Sequence, residues 1–166
     1  DYEKAAIARD RIKALTQIQT SQKINQTNLK EADVISIYKE TGKTCIQVFF
    51  FRSKQNWGNQ AFYPKHDPDD KVEDILSSFL SQFYENKTIP SLILTNVKVN
   101  EIKLLEKTFS TKENKQIIIK LAKAKNEMSI SQLAEKNAKQ ALKQKLIQSD
   151  TNNNLVEALA LKFKLN

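Results

Sequence analysis

Residues 45–66 read CIQVFFFRSKQNWGNQAFYPKH, and this stretch decides the fold. Ile46, Val48 and Phe50 alternate with Cys45, Gln47, Phe49 and Phe51, the period of two that sends successive side chains to opposite faces of a β-strand. Branched and aromatic residues of this kind suit a half-buried pleated surface. The pattern predicts a strand over 43–52 ending at Arg52, a tip with the sequence SKQNWGN, and a third strand over 59–66 that stops near Pro64. The chain has two glycines. Gly42 falls in the turn ETGK before the strand and Gly58 in the tip after it, where hairpins need positive φ. Before the first turn, DVISIYKE (33–40) carries Val34, Ile35, Ile37 and Tyr38 and reads as another strand. Three strands joined by short turns make an antiparallel meander.

Further along, the period changes. Val72, Ile75, Leu76, Phe79, Leu80 and Phe83 recur at the spacing of an amphipathic helix. Asp67 is the expected N-cap, with Pro68 at the first helical position and Asp69 and Asp70 near the positive helix end. Pro90 closes the connection. SLILTNV (91–97) reads as a short strand, Asn100 as the cap of a helix carrying Ile102, Leu105 and Phe109, and QIIIKLA (116–122) as a further buried strand. Ser129 with Gln132 has the form of a capping box. It opens a helix striped by Ile130, Leu133, Ala134, Ala138, Ala141, Leu142 and Leu146, which DTNNN (150–154) is expected to break before a tail helix. At the other end, residues 2–24 read as a helix with a narrow, alanine-rich stripe (Tyr2, Ala5, Ala6, Ala8, Ile12, Leu15, Ile18), and 25–32 as a linker. Such a stripe either caps its own domain or packs against a helix from elsewhere. One helix, then βββαβαβα, then a tail helix predicts an α/β fold. Its mixed five-stranded sheet has 43–52 as the central, buried strand and helices packed on it, the ribonuclease H-like order.

Composition narrows the partners. The 166 residues suit one domain with appendages. One cysteine allows no internal disulfide and fits a reducing, cytoplasmic setting. No apolar run approaches the roughly 20 residues of a membrane span, and no signal-peptide pattern is visible, so no membrane partner is expected. The chain begins on Asp1 inside a helical pattern, as expected of a piece of a longer protein. Lys and Arg number 27 against 19 Asp and Glu, a net charge of +8. That excess favours an anionic partner, nucleic acid first, although lysine is also a common solubilising residue.

Nucleases of the ribonuclease H-like fold gather carboxylates around paired metal ions. The fold implies four places for them. Mid first strand holds Ile35, Ser36 and Ile37, with Asp33 only at the strand edge. The first long helix offers Glu73 or Asp74, the fourth strand ends in Thr95–Asn96, and the last helix offers Glu127. A neutral amide is a weak ligand for a hard cation. The expectation is therefore no catalytic residue and no metal ligand in this stretch. His66 is expected to support the start of the following helix, and Cys45 to sit in the core. No phosphate-binding Gly-rich loop or nucleophile elbow is present.

The motifs carry a closer resemblance. DYEKAAIARDRIKAL (1–15) resembles the second half of a UVR motif. ADVISIYKETGKTCIQVFFFRSKQNWGNQAFYPKH (32–66), SFLSQFYENKTIPSLIL (78–94) and LAEKNAKQAL (133–142) resemble the homology region of the UvrC family, nuclease subunits of the bacterial UvrABC excision-repair system. Lys125 and Glu127 depart from a pattern that often has Gly and Lys there. The resemblance implies that 1–24 contacts UvrB, through Tyr2, Ala5, Ala6, Arg9, Ile12 and Lys13. It implies a catalytically inactive ribonuclease H-like domain at 33–148 and a connector helix at 149–166. A GIY-YIG nuclease and an iron–sulfur segment would lie upstream. A metal-dependent ribonuclease H-like nuclease and a helix-hairpin-helix DNA-binding domain would lie downstream. No cofactor is expected in the stretch itself. The implied partners are UvrB, damaged DNA and the other domains of the same protein.

Two other functional classes stand beside this one: a self-contained metal-dependent nuclease and a pure protein-interaction domain. The tip is the other candidate site. Arg52, Lys54, Asn56, Trp57 and Asn59 combine charge, amides and an aromatic. The mixture suits a nucleic-acid backbone with base stacking or a protein-docking anchor. Alternatively, Trp57 folds back over its own sheet and Gly58 only makes the turn.

Overall fold

The computed structural model describes residues 2–25 and 29–164. In chain order the elements are α1 (Tyr2–Asn25), β1 (Glu31–Glu40), β2 (Lys43–Arg52), β3 (Gln55–Phe62), α2 (Val72–Phe83), β4 (Leu92–Thr95), α3 (Ile102–Glu113), β5 (Ile118–Leu121) and α4 (Lys125–Lys164). The sheet order is β3-β2-β1-β4-β5. β1 pairs antiparallel with β2 and parallel with β4, β2 pairs antiparallel with β3, and β4 pairs parallel with β5. This is the expected mixed five-stranded sheet with the ribonuclease H-like order. The central strand, however, is β1. The meander leaves β1 in one direction, and the crossover through α2 returns the chain to its other side, so β2 is interior but one place off centre.

The alternation in β1 and β2 divides the core between two faces. Ile35, Ile37, Ile46, Val48 and Ile93 face α2 and α3, where they bury Ile75, Leu76, Phe79, Leu80, Phe83 and Phe109. Phe50, half-buried, stacks on Phe83 with ring centroids 6.4 Å apart. On the other face, Ala32, Val34, Phe49, Phe51 and Leu94 pack against Ile130 and Ala134 of α4. Cys45 continues that layer with Ala138 and Leu142, so it is a core residue as expected. Burial pushes its thiol up to about 11, which keeps it protonated and inert.

Local starts and stops depart from the expectations, each for an identifiable reason. The β2–β3 turn is Ser53–Lys54, both at positive φ (52° and 63°), and β3 begins at Gln55. This is a two-residue hairpin turn of the primed type. Most of the expected tip is therefore strand, and Gly58 makes no turn. Its φ of 118° instead serves a bulge, where Phe50 pairs with Gly58 and Phe51 with Asn56, leaving Trp57 as the extra residue. Gly42 does make the β1–β2 turn, together with Thr41 (φ 72° and 50°).

Asp67 is not the cap of α2, which begins at Val72. The Asp70 amide donates to the Asp67 carbonyl and the Asp67 amide to Asp70 Oδ2, each at 3.0 Å, so this segment closes on itself as a separate turn. Asn100 is not the cap of α3 either. Glu101 holds that place in a left-handed conformation, while the Asn100 side chain donates to Asp74 Oδ1 and ties α3 to α2. α4 starts at Lys125, ahead of Ser129, because the Glu127 carboxylate accepts from the amides of Lys123 and Ala124 at 3.3 Å.

α4 also runs unbroken through 150–154, so there is no separate tail helix. Asp, Thr and Asn each cost only about 0.7 kcal/mol in a helix, far less than Pro. Thr151 returns its hydroxyl to the Ile147 carbonyl at 2.9 Å. Strong helix formers on both sides carry the rest. In the expected 25–32 linker, Asn25 is helical and Glu31 and Ala32 are strand, while 26–28 lie outside the described residues.

Candidate functional site

The strand order switches from one side of β1 to the other between β1 and β4, which run parallel, and in open α/β sheets ligands gather at the carboxyl ends of strands flanking such a switch point. That is where a ribonuclease H-like metal centre would be assembled, and each position there has a defined structural use. Asn96, just past β4, accepts from the Ile37 amide through Oδ1 at 2.9 Å and donates through Nδ2 to the Ile37 carbonyl at 3.0 Å. The side-chain amide thus extends the parallel β1–β4 ladder by one pair after the strands diverge. A carboxylate has no proton to donate and could not make the second bond. Ser36, in the middle of β1, donates to the Ser131 carbonyl of α4 at 2.8 Å. Around these residues lies a small cleft of about 190 Å³ lined by Asn96, Ser131, Gln132 and Glu135. Glu135 is its one carboxylate. Sequence reasoning missed it because the strand and helix registers were needed to bring residues 96 and 135 together.

Of the other candidate carboxylates, Asp33, Glu127 and Asp74 are engaged elsewhere, and Glu73 lies half-buried in the first turn of α2. Asp33 is not at the strand edge. It is the third residue of β1, paired with Phe50 on one side and Ile93 on the other, and is 1% exposed. Its Oδ1 accepts from Arg52 Nη1 at 2.9 Å and its Oδ2 from the Tyr84 hydroxyl at 2.5 Å. Burial raises the Asp33 pKa against the opposing pull of those two partners. Burial and the neighbouring carboxylate push the Tyr84 phenol well above its ordinary value, so it remains a donor. Burial alone would raise Glu127, but Lys120 Nζ at 2.7 Å and the two amides at the helix start outweigh it and hold that carboxylate low. Asp74 is tied to Asn100. Among the described residues no group of three or more His, Cys, Asp and Glu side chains is placed to hold a metal ion. The residues present do not fit a paired-metal centre.

His66 acts differently from the expectation. Its Nδ1 donates to the Asp67 carbonyl at 2.8 Å, which leaves Nε2 to accept from the Thr44 hydroxyl at 2.7 Å in the neutral ring. It therefore fastens the segment after β3 to the start of β2 and does not open α2.

The hairpin tip is the second candidate. Trp57 is 70% exposed, which removes the reading in which it folds back over its own sheet. Asn56 Oδ1 accepts from the Gly58 amide at 2.9 Å and shapes the bulge that turns Trp57 outward. The Asn59 side chain accepts from Gln47 Nε2 at 2.7 Å. The Lys54 amide donates to the Lys30 carbonyl at 3.1 Å and fixes the tip to the segment before β1. Arg52 is committed inward, since Nη1 also donates to the Phe51 carbonyl at 2.7 Å. Lys54 is left as the tip's outward charge, so the structure brings together an aromatic anchor and one ammonium.

On α1, Tyr2, Ala5, Arg9, Ile12 and Lys13 are exposed and Ala6 is half-buried. The side chains of Leu15 and Ile18 lie outside the described set. Among the described residues no helix is long and apolar enough to cross a membrane.

Residues 31–145 match the family model described as the UvrC ribonuclease H-like domain. Over 165 residues, 99% of this chain, the sequence is 44% identical to the UvrABC system protein C of Bartonella quintana (strain Toulouse) and covers 24% of that protein. The same protein of Bartonella henselae is also 44% identical, and that of Chelativorans sp. (strain BNC1) 42%, with 99% of this chain and 25% of each relative covered. The chain spans about a quarter of the length of the curated relatives it matches. With the sheet order, the register and these matches in agreement, the chain belongs to the UvrC ribonuclease H-like domain family.

Proposed function

We propose that this chain is a non-catalytic docking and positioning module of UvrABC nucleotide excision repair. In this reading it holds other parts of the incision machinery in place and cuts nothing itself. The observation that carries the reading is Asn96. The residue at the end of β4 is used as a two-point backbone latch on Ile37, a task that needs an amide and competes with metal binding. Ser36 and Ser131 fasten β1 to α4 at the same place, with hydroxyl and carbonyl groups where a metal centre needs carboxylates.

The exposed surfaces support docking. The described side chains of α1 are almost all open, Tyr2 at 96%, and present a narrow stripe suited to a partner helix. UvrB is the partner that the family resemblance supplies for it, through Tyr2, Ala5, Ala6, Arg9, Ile12 and Lys13. Trp57 is an exposed aromatic, and Lys54 is the one outward charge of its hairpin tip. That favours a protein surface, such as another domain of the same protein, over a phosphate backbone.

The test has two arms. The chain incubated with DNA and either magnesium or manganese should leave the DNA intact. Incision that disappears on Glu135→Gln would overturn the non-catalytic reading. In the full-length protein, Trp57→Ala should lower UvrB-dependent incision while the isolated chain keeps its wild-type affinity for DNA. An isolated Trp57→Ala chain that loses DNA affinity would make the tip a nucleic-acid contact instead.

A further inference from the structure

The far end of the β2–β3 hairpin holds a cleft that none of the roles above uses. It has a volume of about 550 Å³ and lies between the start of β2, the segment after β3 and the middle of α4. Lys43, Lys65 and Lys145 are among its lining residues, and no Asp or Glu is. Among the described residues none of the three lysines takes part in an ion pair. The floor is apolar and firm, because Leu142 belongs to the core layer with Cys45 and Ala138. Tyr63 stands in the wall partly exposed, with Lys145 Nζ 3.8 Å from its ring centroid. His66, bonded to Thr44 and the Asp67 carbonyl, fastens the segment next to the exposed Lys65.

A contrast lies on the other side of residues 64–66. The adjoining cleft shares Pro64, Lys65 and His66 with the first but also carries Asp70 and Asp74. The basic character of the first cleft is therefore local, and not simply the net charge of +8 spread over the surface. Three unpaired ammonium groups around a preformed wall with an aromatic face suit the phosphates and sugars of a nucleic-acid strand. The same arrangement lacks the donors facing a base edge that sequence readout would need.

We propose that this cleft binds the phosphate backbone of DNA without sequence preference, through Lys43, Lys65 and Lys145, with Tyr63 supporting the strand. β2 is ten residues long. Trp57 lies opposite Phe50 and Phe51, near the far end of that strand, so at about 3.3 Å per residue the cleft and Trp57 are roughly 20–25 Å apart. A strand seated in the cleft thus leaves the tip free for a protein. This inference deepens the positioning role and can fail without it, since UvrB binding through α1 is read separately.

The experiment is fluorescence anisotropy of the whole chain with short labelled single-stranded and duplex DNA. It is run between about 50 and 200 mM salt, where phosphate contacts dominate the change in affinity. The combined variant Lys43→Gln, Lys65→Gln and Lys145→Gln should lower the slope of log affinity against log salt by about 2–3 units. A control set of equal charge change, Lys107→Gln, Lys136→Gln and Lys162→Gln, should lower it by less than one unit. Circular dichroism melting checks that both variants fold. If the cleft variant proves unfolded, Lys43→Gln with Lys65→Gln alone should still remove about two units. Equal losses from the two sets, or an unchanged slope in the cleft variant, would overturn the proposal. So would capture of acidic peptides by a chain that binds no DNA.

Discussion

Arg52→Met should destabilise the domain through a carboxylate that the substitution does not touch. Asp33 is 1% exposed and has two side-chain partners, Arg52 at 2.9 Å and the Tyr84 hydroxyl at 2.5 Å. Methionine keeps most of the apolar stem of arginine and removes the guanidinium. Stripping one member from a fully buried pair costs about 3–5 kcal/mol. The Arg52 side chain is 26% exposed, so water screens part of the attraction and the expected loss is about 2–3 kcal/mol at pH 7. The effect should also depend on pH. Burial already raises the folded-state pKa of Asp33 above its unfolded value. Between those two values the folded protein holds more protons than the unfolded chain, so stability falls as pH rises. Removing Arg52 raises the folded pKa further and widens that window upward. The loss should therefore be full above the variant's raised folded pKa, shrink as pH falls through it, and level off below the wild-type folded value. Urea denaturation of Arg52→Met, Asp33→Asn and the double variant measures it. In the double variant the neutral amide needs no counter-charge, so most of the loss should be recovered. A cost below about 0.5 kcal/mol, or a double variant as weak as the sum of the single ones, would show that Arg52 is not holding Asp33.

Two further outcomes can be checked on the same material. Asn96→Asp should lose about 1–3 kcal/mol at pH 7, because the Ile37 carbonyl loses its donor and faces a carboxylate; a denaturation midpoint equal to wild type would remove the latch. Cys45, with a thiol pushed up to about 11 by burial, should not react with a thiol reagent near pH 8 until denaturant is added, and fast labelling of the native chain would place it outside the core.

The sheet was legible because its strands obey a strict period of two. The split of β1 and β2 into two faces follows residue by residue from that alternation, and the helical stripe from Val72 to Phe83 packs as its spacing requires. What the sequence did not reveal lies where local preference meets tertiary contact. Ser and Lys are poor candidates for two successive positive φ values, yet Ser53–Lys54 forms the turn. Strand register on both sides and the bond from the Lys54 amide to Lys30 fix it there. Gly58 looked like a turn because glycine usually marks one, and a bulge uses the same freedom at the fourth residue of the strand. Asp67, Asn100 and Ser129 have the chemistry of caps, but Asp70, Asp74 and Glu127 engage the nearby groups first. Arg52 read as an outward charge because it ends a strand. Its inward bond to Asp33 depends on a register between residues 19 apart.

Under the non-catalytic reading proposed above, the switch point is joined directly where a nuclease of this fold would hold ions. A metal centre puts carboxylates at strand ends and leaves the surrounding backbone to be held apart by charge repulsion and ions. Here the same positions are filled with groups that join the elements directly. Asn96 makes two bonds to β1, and the Ser36 hydroxyl makes one to α4. At about 1 kcal/mol for each neutral hydrogen bond, these three contribute on the order of 3 kcal/mol, a large part of the net stability of a domain this size. Restoring a single carboxylate would remove a donor before it provided a ligand. Building a carboxylate centre here would therefore need several substitutions at once, at 36, 96 and 131 together. If the non-catalytic reading holds, those bonds give a physical reason for keeping the ribonuclease H-like fold around a latch.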